Sequence, residues 1–239
     1  MSLKDKKIVL LGGTSGFGLA AAQAAAREGA KVVVVSSRQE SVEGALSKLP
    51  ANAVGLVANL ADPASYQGLF DKIGRFDHLA FTAGDPLAIM PLDAVTLDQA
   101  RKAFELRFWG AFMAAKTGAP LINEGGSITF TSGTAGRRPP KGWSVVAALV
   151  AALEGLTRGL AVELAPIRVN AVCAGVVDTN LWAGMPAADR QAFFDHYASM
   201  LPTGRIGRAD DIGDAYVFLM KQGFATGQII VVDGGGVLV

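Results

Sequence analysis

The chain has 239 residues, of which 51% are hydrophobic, and its formal net charge of +1 offers no strongly basic surface for a nucleic acid. Its longest uninterrupted apolar run, residues 145–153, is much shorter than the roughly 18 residues that a membrane span needs. The first residues lead into an apolar run without a signal peptide, and the single cysteine, Cys173, can form no internal disulfide. We therefore expect a cytoplasmic protein with a buried, inert thiol and no membrane or nucleic-acid partner.

Strand-like and helix-like segments alternate along the whole chain. The predicted strands are residues 8–11, 31–36, 53–58, 78–82, 127–131, 168–173 and 228–232. The predicted helices are residues 17–28, 40–49, 63–73, 97–122, 143–164 and 209–221. Such alternation is typical of right-handed βαβ units, and this length suits one domain with a large core. The sequence therefore predicts one α/β domain over residues 1–239, with a parallel sheet covered by helices on both faces.

A glycine-rich turn separates the first predicted strand from the first predicted helix. Its members are Gly12, Gly13, Thr14, Ser15, Gly16, Phe17 and Gly18. Glycine lets a backbone come close to a pyrophosphate, and the free N–H groups and positive dipole end of the following helix attract its negative charge. A strand, a glycine-rich turn and a helix in this order predict a dinucleotide site.

Residues 178–201 interrupt the alternation of strands and helices. They are mixed in character and follow the carboxyl end of a predicted strand, where open α/β sheets bind ligands. We interpret them as a mobile lid over a substrate, and the alternative is an additional packing helix. His196 and Tyr197 in this segment carry groups that could supply a proton.

Several motifs follow the order and spacing of one known family. Residues 11–18 look like its TGxxxGxG turn, Thr82-Ala83-Gly84 looks like its NAG motif, and residues 174–179 look like its PGxVxT loop. Residues 155–172 resemble its central helix and the strand that follows, and residues 207–235 resemble its closing pattern. The whole chain thus resembles the short-chain dehydrogenase/reductase family of single-domain, nicotinamide-dependent enzymes. The resemblance implies a doubly wound Rossmann fold with a seven-stranded parallel sheet in the order 3-2-1-4-5-6-7. It also implies a homodimer or homotetramer, with the long helices and the apolar tail, residues 237–239, between subunits.

The end of the second predicted strand bears on the choice of cofactor. An acidic side chain there would bind the ribose 2′-hydroxyl of NAD(H), whereas the 2′-phosphate of NADP(H) requires a cation and neutral donors. Ser37 occupies the usual acidic position and Arg38 follows it, while Thr14 and Ser15 add hydroxyl donors. The sequence therefore favours NADP(H), and the alternative reading of Arg38 is a solvated surface charge.

The resemblance also implies contacts along the rest of the cofactor. Asn59 and Leu60 would line the adenine pocket, and Asn59 stands where many relatives carry an aspartate. The residues that would line the nicotinamide half are Ala83, Gly84, Gly175, Val177 and Thr179, next to Thr82 of the NAG-like motif.

The catalytic pair that this family uses is missing. The family reduces carbonyls with a serine, an asparagine, a proton-donating tyrosine and a lysine four residues after it, whose charge makes the tyrosine more acidic. Val146 and Val150 occupy the tyrosine and lysine positions. A shift of register does not restore the pair, because the only tyrosines are Tyr66, Tyr197 and Tyr216 and no lysine lies between residues 141 and 221.

Two other residues near these positions are candidates for catalysis. Arg107 takes the place of the asparagine and could stabilise a developing oxyanion, or it could simply pair with Glu105 or Asp85. The serine position aligns with Gly133, and its neighbour Ser132 could serve if the loop shifts by one residue.

Three explanations of the missing pair remain open. A reductase with rewired acid catalysis could use Arg107, with Ser132 or Ser144 orienting a carbonyl and Tyr197 or His196 supplying the proton. Alternatively, the substrate could need no strong acid, as with an iminium or a conjugated double bond. In the third explanation, the protein binds NADP(H) without turnover, as a sensor or a silent oligomer partner. The sequence favours an atypical NADP(H)-dependent oxidoreductase acting on a small carbonyl or alcohol.

Residues 137–143 contain three cations and Trp143, between the serine position and the altered helix. They could meet an anionic or aromatic substrate, or form a solvated loop with Trp143 as a packing anchor. No cluster of His, Cys and Asp has the spacing of metal ligands, so we expect no metal.

Overall fold

Seven parallel strands form the central sheet of the computed structural model, which describes residues 1–239. In chain order the strands are β1 (Lys7–Leu11), β2 (Lys31–Ser36), β3 (Val54–Val57), β4 (Phe76–Phe81), β5 (Ile122–Gly133), β6 (Arg168–Ala174), β7 (Val177–Asp178), β8 (Gly207–Arg208) and β9 (Ile229–Val232). The sheet runs β3-β2-β1-β4-β5-β6-β9, while β7 pairs separately with β8. The predicted order of the seven main strands is confirmed.

Eight α-helices connect the strands. They are α1 (Gly16–Arg27), α2 (Gln39–Leu46), α3 (Ser65–Ile73), α4 (Leu97–Phe104), α5 (Gly110–Gly118), α6 (Ser144–Glu163), α7 (Ala187–Met200) and α8 (Ala209–Lys221). The prediction of one continuous helix over residues 97–122 is wrong. A π-helical turn, Glu105–Trp109, separates α4 from α5. A 3₁₀ turn, Ala119–Leu121, follows α5 because Pro120 has no backbone N–H for a regular helix.

Helices cover both faces of the sheet, and the strands are therefore nearly continuous apolar runs. In β2, Val33 and Val35 pack into the layer that contains α3, α5 and α6. The alternating Val32 and Val34 pack into the opposite layer with α1, α2 and α8. Side chains along a strand point alternately to the two faces, so a single run of valines stabilises both layers.

By length and composition, α6 is the one helix that could cross a membrane, although a buried core helix passes the same test. Its buried face includes Val146, Leu149, Leu153 and Leu160, and the helix packs against β5 and β6. This packing accounts for the apolar residues on the face toward the sheet, while only 28% of the apolar stretch is buried in the single chain.

Two titratable side chains lie in the interior of the sheet. His78 in β4 is 3% exposed, and its Nδ1 lies 2.9 Å from the Ser127 hydroxyl. Burial, aided by the positive charge of Arg168, lowers the pKa of His78 to about 4. Burial raises the pKa of Cys173 to about 11, so the predicted buried thiol is confirmed and stays protonated at neutral pH.

The strand order changes direction at the centre of the sheet. β1 pairs with β2 on one side and with β4 on the other, so the helices that follow these strands diverge to opposite faces. A crevice opens beyond the carboxyl ends of strands at such a switch point, and ligands of doubly wound sheets bind there.

Candidate active site

A cleft of about 510 Å³ opens at this switch point. The sequence-predicted cofactor residues that line it are Gly12, Thr14, Ser15, Gly16, Phe17, Ser37, Arg38, Asn59, Leu60, Thr82, Ala83, Gly84 and Thr179. Gly175 lines a second, neighbouring cavity. Gly18 and Val177 line neither space, and the Val177 side chain is buried.

The glycine turn packs tightly against the segment that follows β4. Gly12 has a φ of +89°, and a Cβ atom there would lie 2.4 Å from the Ala83 nitrogen. A Cβ on Gly18 would lie 2.4 Å from the carbonyl oxygen of Gly12 and from the Thr82 hydroxyl. Side chains are therefore excluded at both positions, and the backbone itself forms the floor of the cleft.

The N-terminus of α1 is open toward this cleft. Ser15 occupies the N-cap position without a side-chain hydrogen bond, and the first turn contains no acidic residue. The first N–H groups of the helix are thus available to an anion, and the positive end of the helix dipole faces the same side. These features fit the pyrophosphate of a dinucleotide.

The opposite end of the cleft suits a phosphate monoester. Arg38 is the N-cap residue of α2, is exposed and forms no ion pair, and Ser36, Ser37 and Ser41 line the cleft beside it. The amide oxygen of Asn59 accepts a hydrogen bond from the Ala61 N–H at 3.2 Å. A free guanidinium among hydroxyl donors is the donor set that a 2′-phosphate requires.

A cavity of about 380 Å³ adjoins the cleft. Sixteen of its 27 lining residues are hydrophobic, so its interior favours an apolar ligand. Phe17, Arg107, Thr131 and Leu181 line both the cleft and the cavity. The two spaces therefore meet at these four residues, and we call this meeting point the junction.

The positions that would carry the family's serine, tyrosine and lysine come together in this cavity. Val146 and Val150 are 3% and 8% exposed and form a small apolar cluster with Ala135, against which Trp143 packs. A Cβ on Gly133 would lie 3.7 Å from the Val150 side chain. The arrangement in space fits the resemblance, but none of these three residues has a polar side chain.

Ser132 also lines the cavity, and its hydroxyl is directed toward α6. Its Oγ lies 3.2 Å from the Glu154 carboxylate and 3.4 Å from the Val150 carbonyl oxygen. Both partners are acceptors, so the single hydroxyl hydrogen is donated to the protein and a lone pair remains for a ligand. Sequence reasoning missed Glu154, although it follows Val150 by four residues and therefore shares its helix face.

Glu154 also holds the cationic loop of residues 137–143 against α6. Its carboxylate lies 3.6 Å from the Arg137 guanidinium and 3.9 Å from that of Arg158. Arg138 lines the cavity and forms no ion pair, and Trp143 lies in the cavity wall. Of the cations in this loop, Arg137 therefore links the loop to α6 through Glu154, whereas Arg138 lines the cavity.

Arg107 lies in the middle of the π-helical turn. Its Nε is 3.4 Å from the Asp85 carboxylate, and its guanidinium also donates to the Asp85 carbonyl oxygen. A Cβ on Gly84 would lie 2.5 Å from Cζ, so the guanidinium covers Gly84. Burial lowers the pKa of Arg107 and the Asp85 charge opposes this shift. Of the two predicted acidic partners, Asp85 makes the contact, whereas Glu105 makes none and is exposed.

The segment proposed as a lid contains α7 and covers one side of the cavity. The Trp182 indole N–H donates to the Val177 carbonyl oxygen at 3.0 Å, and its ring lies 4.7 Å from that of Phe193. Tyr197 lines the cavity, whereas His196 is exposed and does not. Ser144 also lies outside both spaces.

The C-terminal residues form a further part of the cavity that sequence reasoning missed. The Asp233 carboxylate accepts hydrogen bonds from the Gly235 and Val237 N–H groups, at 2.9 and 2.8 Å. This turn brings Val239 into the cavity lining. In the sequence, the apolar character of residues 237–239 is the only sign that the C-terminus lines a cavity.

Comparisons with known proteins agree with this layout of a doubly wound sheet, a glycine turn and an adjoining cavity. The SDR-like Rossmann domain matches residues 2–239. The chain is 35% identical to the short-chain dehydrogenase/reductase fsr5 of Gibberella fujikuroi, over 99% of this chain and 96% of that protein. The chain therefore belongs to the short-chain dehydrogenase/reductase family, whose curated relatives here are oxidoreductases.

Solved structures of relatives support the same assignment. A small-chain dehydrogenase in complex with NADPH is 38% identical, with a TM-score of 0.84 over 99% of this chain and 100% of that one. The MalC reductase/Diels-Alderase of Malbranchea aurantiaca is 30% identical, with a TM-score of 0.91 over 99% of this chain and 98% of that one. The predicted doubly wound Rossmann fold is confirmed.

Proposed function

We propose that this protein is an NADP(H)-dependent oxidoreductase that acts on a small carbonyl or alcohol without the family's tyrosine and lysine. The observation that carries the proposal is the junction, where the cleft opens into the apolar cavity. A nicotinamide ring at the junction would face a substrate in the cavity, which is the geometry that hydride transfer requires. The relative crystallised with NADPH supports the choice of cofactor.

Each part of the cleft has a role in this proposal. The N-terminus of α1 binds the pyrophosphate, Ser37 and Arg38 bind the 2′-phosphate, and Asn59 and Leu60 line the adenine pocket. The residues that border the nicotinamide half are Thr82, Ala83, Gly84 and Thr179 in the cleft and Gly175 in the adjoining cavity, whereas the buried Val177 lines neither space. When bound, NADPH supplies a hydride.

The cavity residues position the substrate and exclude water. Val146, Val150 and Trp143 form an apolar wall, so charges at the junction act in a low dielectric. The Arg107 guanidinium stabilises negative charge that develops on a substrate oxygen. Ser132 offers a lone pair and therefore orients a donor group of the substrate, and Tyr197 is the proton donor within the cavity.

A second candidate is a protein that binds NADP(H) without turnover. The burial of valines at both positions of the catalytic pair favours it, because neither side chain transfers a proton. A Val146→Tyr, Val150→Lys variant discriminates between the two candidates. Carbonyl reduction that appears only in this variant would show an intact site that had lost its acid, and would support the binding role.

The first experiment is a fluorescence titration of the protein with NADPH and, in parallel, with NADH. We expect micromolar binding of NADPH and much weaker binding of NADH. Binding of neither would refute the oxidoreductase proposal. NADPH consumption is then measured with a panel of aldehydes, ketones, conjugated enones and cyclic iminium ions.

Variants assign the catalytic roles in whichever reaction is found. Arg107→Ala and Ser132→Ala should each lower kcat by at least tenfold. Arg101→Ala is the matched control, because Arg101 is 69% exposed on α4 and pairs only with Asp98. Unchanged turnover in both Arg107→Ala and Ser132→Ala would refute the assignment.

We also propose that the protein assembles as a homodimer or homotetramer. Trp109, Val162, Phe224 and Leu238 are large apolar side chains that are 49%, 82%, 99% and 81% exposed in the single chain. Burial of such residues between subunits would remove them from water. Light scattering coupled to size-exclusion chromatography tests this, and a monomer at micromolar concentration would refute it.

A further inference from the structure

Two opposite charges lie at the inner end of the cleft. Arg107 lines both the cleft and the cavity, whereas Asp85 lines the cleft alone. In the proposed function, on which this inference rests, the nicotinamide ring occupies the junction. Because Arg107 lines the junction and Asp85 does not, we take the guanidinium as the nearer of the two charges to the ring, with the Asp85 carboxylate 3.4 Å from its Nε.

The reduced and oxidised cofactors differ in charge only at this ring. The nicotinamide of NADPH is neutral and that of NADP⁺ carries one positive charge, while the adenosine, the pyrophosphate and the 2′-phosphate are the same in both. A cation at the junction therefore raises the free energy of bound NADP⁺ and leaves that of bound NADPH almost unchanged. The Arg107 side chain is 20% exposed, so solvent screens this repulsion only in part.

We infer that Arg107 makes the site select NADPH over NADP⁺, and that Asp85 limits the size of this preference. By the family resemblance Val150 stands at the position of a lysine, and Arg107 is the only cationic residue that lines both spaces. The selection favours reduction over oxidation of the substrate. It also speeds the release of NADP⁺ after turnover.

The test is the ratio of two dissociation constants, Kd for NADP⁺ divided by Kd for NADPH, measured by calorimetry on the full chain without substrate. Arg107→Gln should lower this ratio about tenfold, equivalent to ~1.4 kcal/mol. Asp85→Asn should raise it severalfold, because the carboxylate no longer offsets the guanidinium. Arg107→Lys keeps the charge and should keep most of the preference.

Arg38→Gln is the matched control, because it removes a cation from the part of the cleft assigned to the 2′-phosphate. It should weaken binding of both redox forms alike and leave the ratio unchanged. The inference is overturned if the ratio stays constant in Arg107→Gln, or if Asp85→Asn lowers it. If Arg107→Gln does not fold, the ratio measured in Asp85→Asn tests the inference by itself: an increase supports it and a decrease overturns it. A wild-type protein that binds neither form contradicts the proposed function instead.

Discussion

Replacement of Arg38 by glutamine is expected to remove most of the preference for NADPH over NADH. The guanidinium is exposed at the start of α2 and forms no ion pair, so its charge is free for a ligand. A phosphate monoester carries about 1.5 to 2 negative charges at neutral pH, and a hydrogen bond to a charged group contributes about 1.5–3 kcal/mol. Solvent screening at this exposed position favours the lower end of that range.

A loss of about 1.5–2 kcal/mol corresponds to a Kd for NADPH that rises roughly ten- to thirtyfold. The Kd for NADH should stay within about twofold, because its ribose carries an uncharged hydroxyl at this place. Fluorescence titration of both cofactors at ~0.15 M salt measures the two constants. Added salt should reduce the preference of the wild type and have little effect in the variant.

Arg27→Gln provides the control for a general loss of positive charge. Arg27 lies on α1, is 63% exposed, pairs with Asp214 at 4.0 Å and does not line the cleft. Its replacement should change neither constant. An Arg38→Gln variant that binds NADPH as tightly as the wild type would refute the assignment of the 2′-phosphate, and equal weakening of NADPH and NADH would also refute it.

Three further predictions concern the scaffold of the site. Burial lowers the pKa of His78 from 6.5 to about 4, so between these pH values the unfolded chain binds a proton that the folded protein does not. The free energy of unfolding should therefore be highest above pH 6.5 and decrease by about 3 kcal/mol as the pH falls from 6.5 to 4. Urea unfolding between pH 7 and pH 4 should show this loss, and His78→Asn should show less of it. Gly12→Ala should lower the Tm by several degrees and abolish NADPH binding, because the alanine Cβ would lie 2.4 Å from the Ala83 nitrogen. A variant with the Tm of the wild type would contradict this geometry. Cys173, with a pKa of about 11, should resist iodoacetamide at pH 8 until the chain unfolds, and rapid labelling of the native protein by mass spectrometry would contradict its burial.

The sequence predicted the strands better than the helices around the site. Buried parallel strands are short apolar runs bounded by polar residues or glycine, and the predicted 31–36 strand matches β2 residue for residue. The predicted 97–122 helix failed because apolar periodicity continues through residues that form a π-helical turn. Nothing in a side-chain pattern marks the extra residue of such a turn.

The cleft was predictable because local residues build it, whereas the cavity was not. The glycine turn directly follows β1, and Arg38 lies close after the end of β2, so the order of elements gives their position. Glu154 and Val239 reach the cavity through contacts between segments that are distant in sequence. The choice of Asp85 over Glu105 as the partner of Arg107 also depends on an irregular segment after β4, which no periodicity describes.

The π-helical turn determines whether the Arg107 side chain points to the junction, because it sets the helical register of residues 105–109. Such a turn holds one residue more than the α-helical turn it replaces, and Arg107 lies at its centre. Deletion of one residue within Glu105–Trp109 would allow a regular helix and rotate the segments on either side by about 100° relative to each other. Arg107 would then turn away from Asp85 and the junction, although the chain would still contain every residue assigned to the site. A comparison of residue identities alone would miss such a change. The number of residues in this turn therefore determines whether a positive charge lies at the junction.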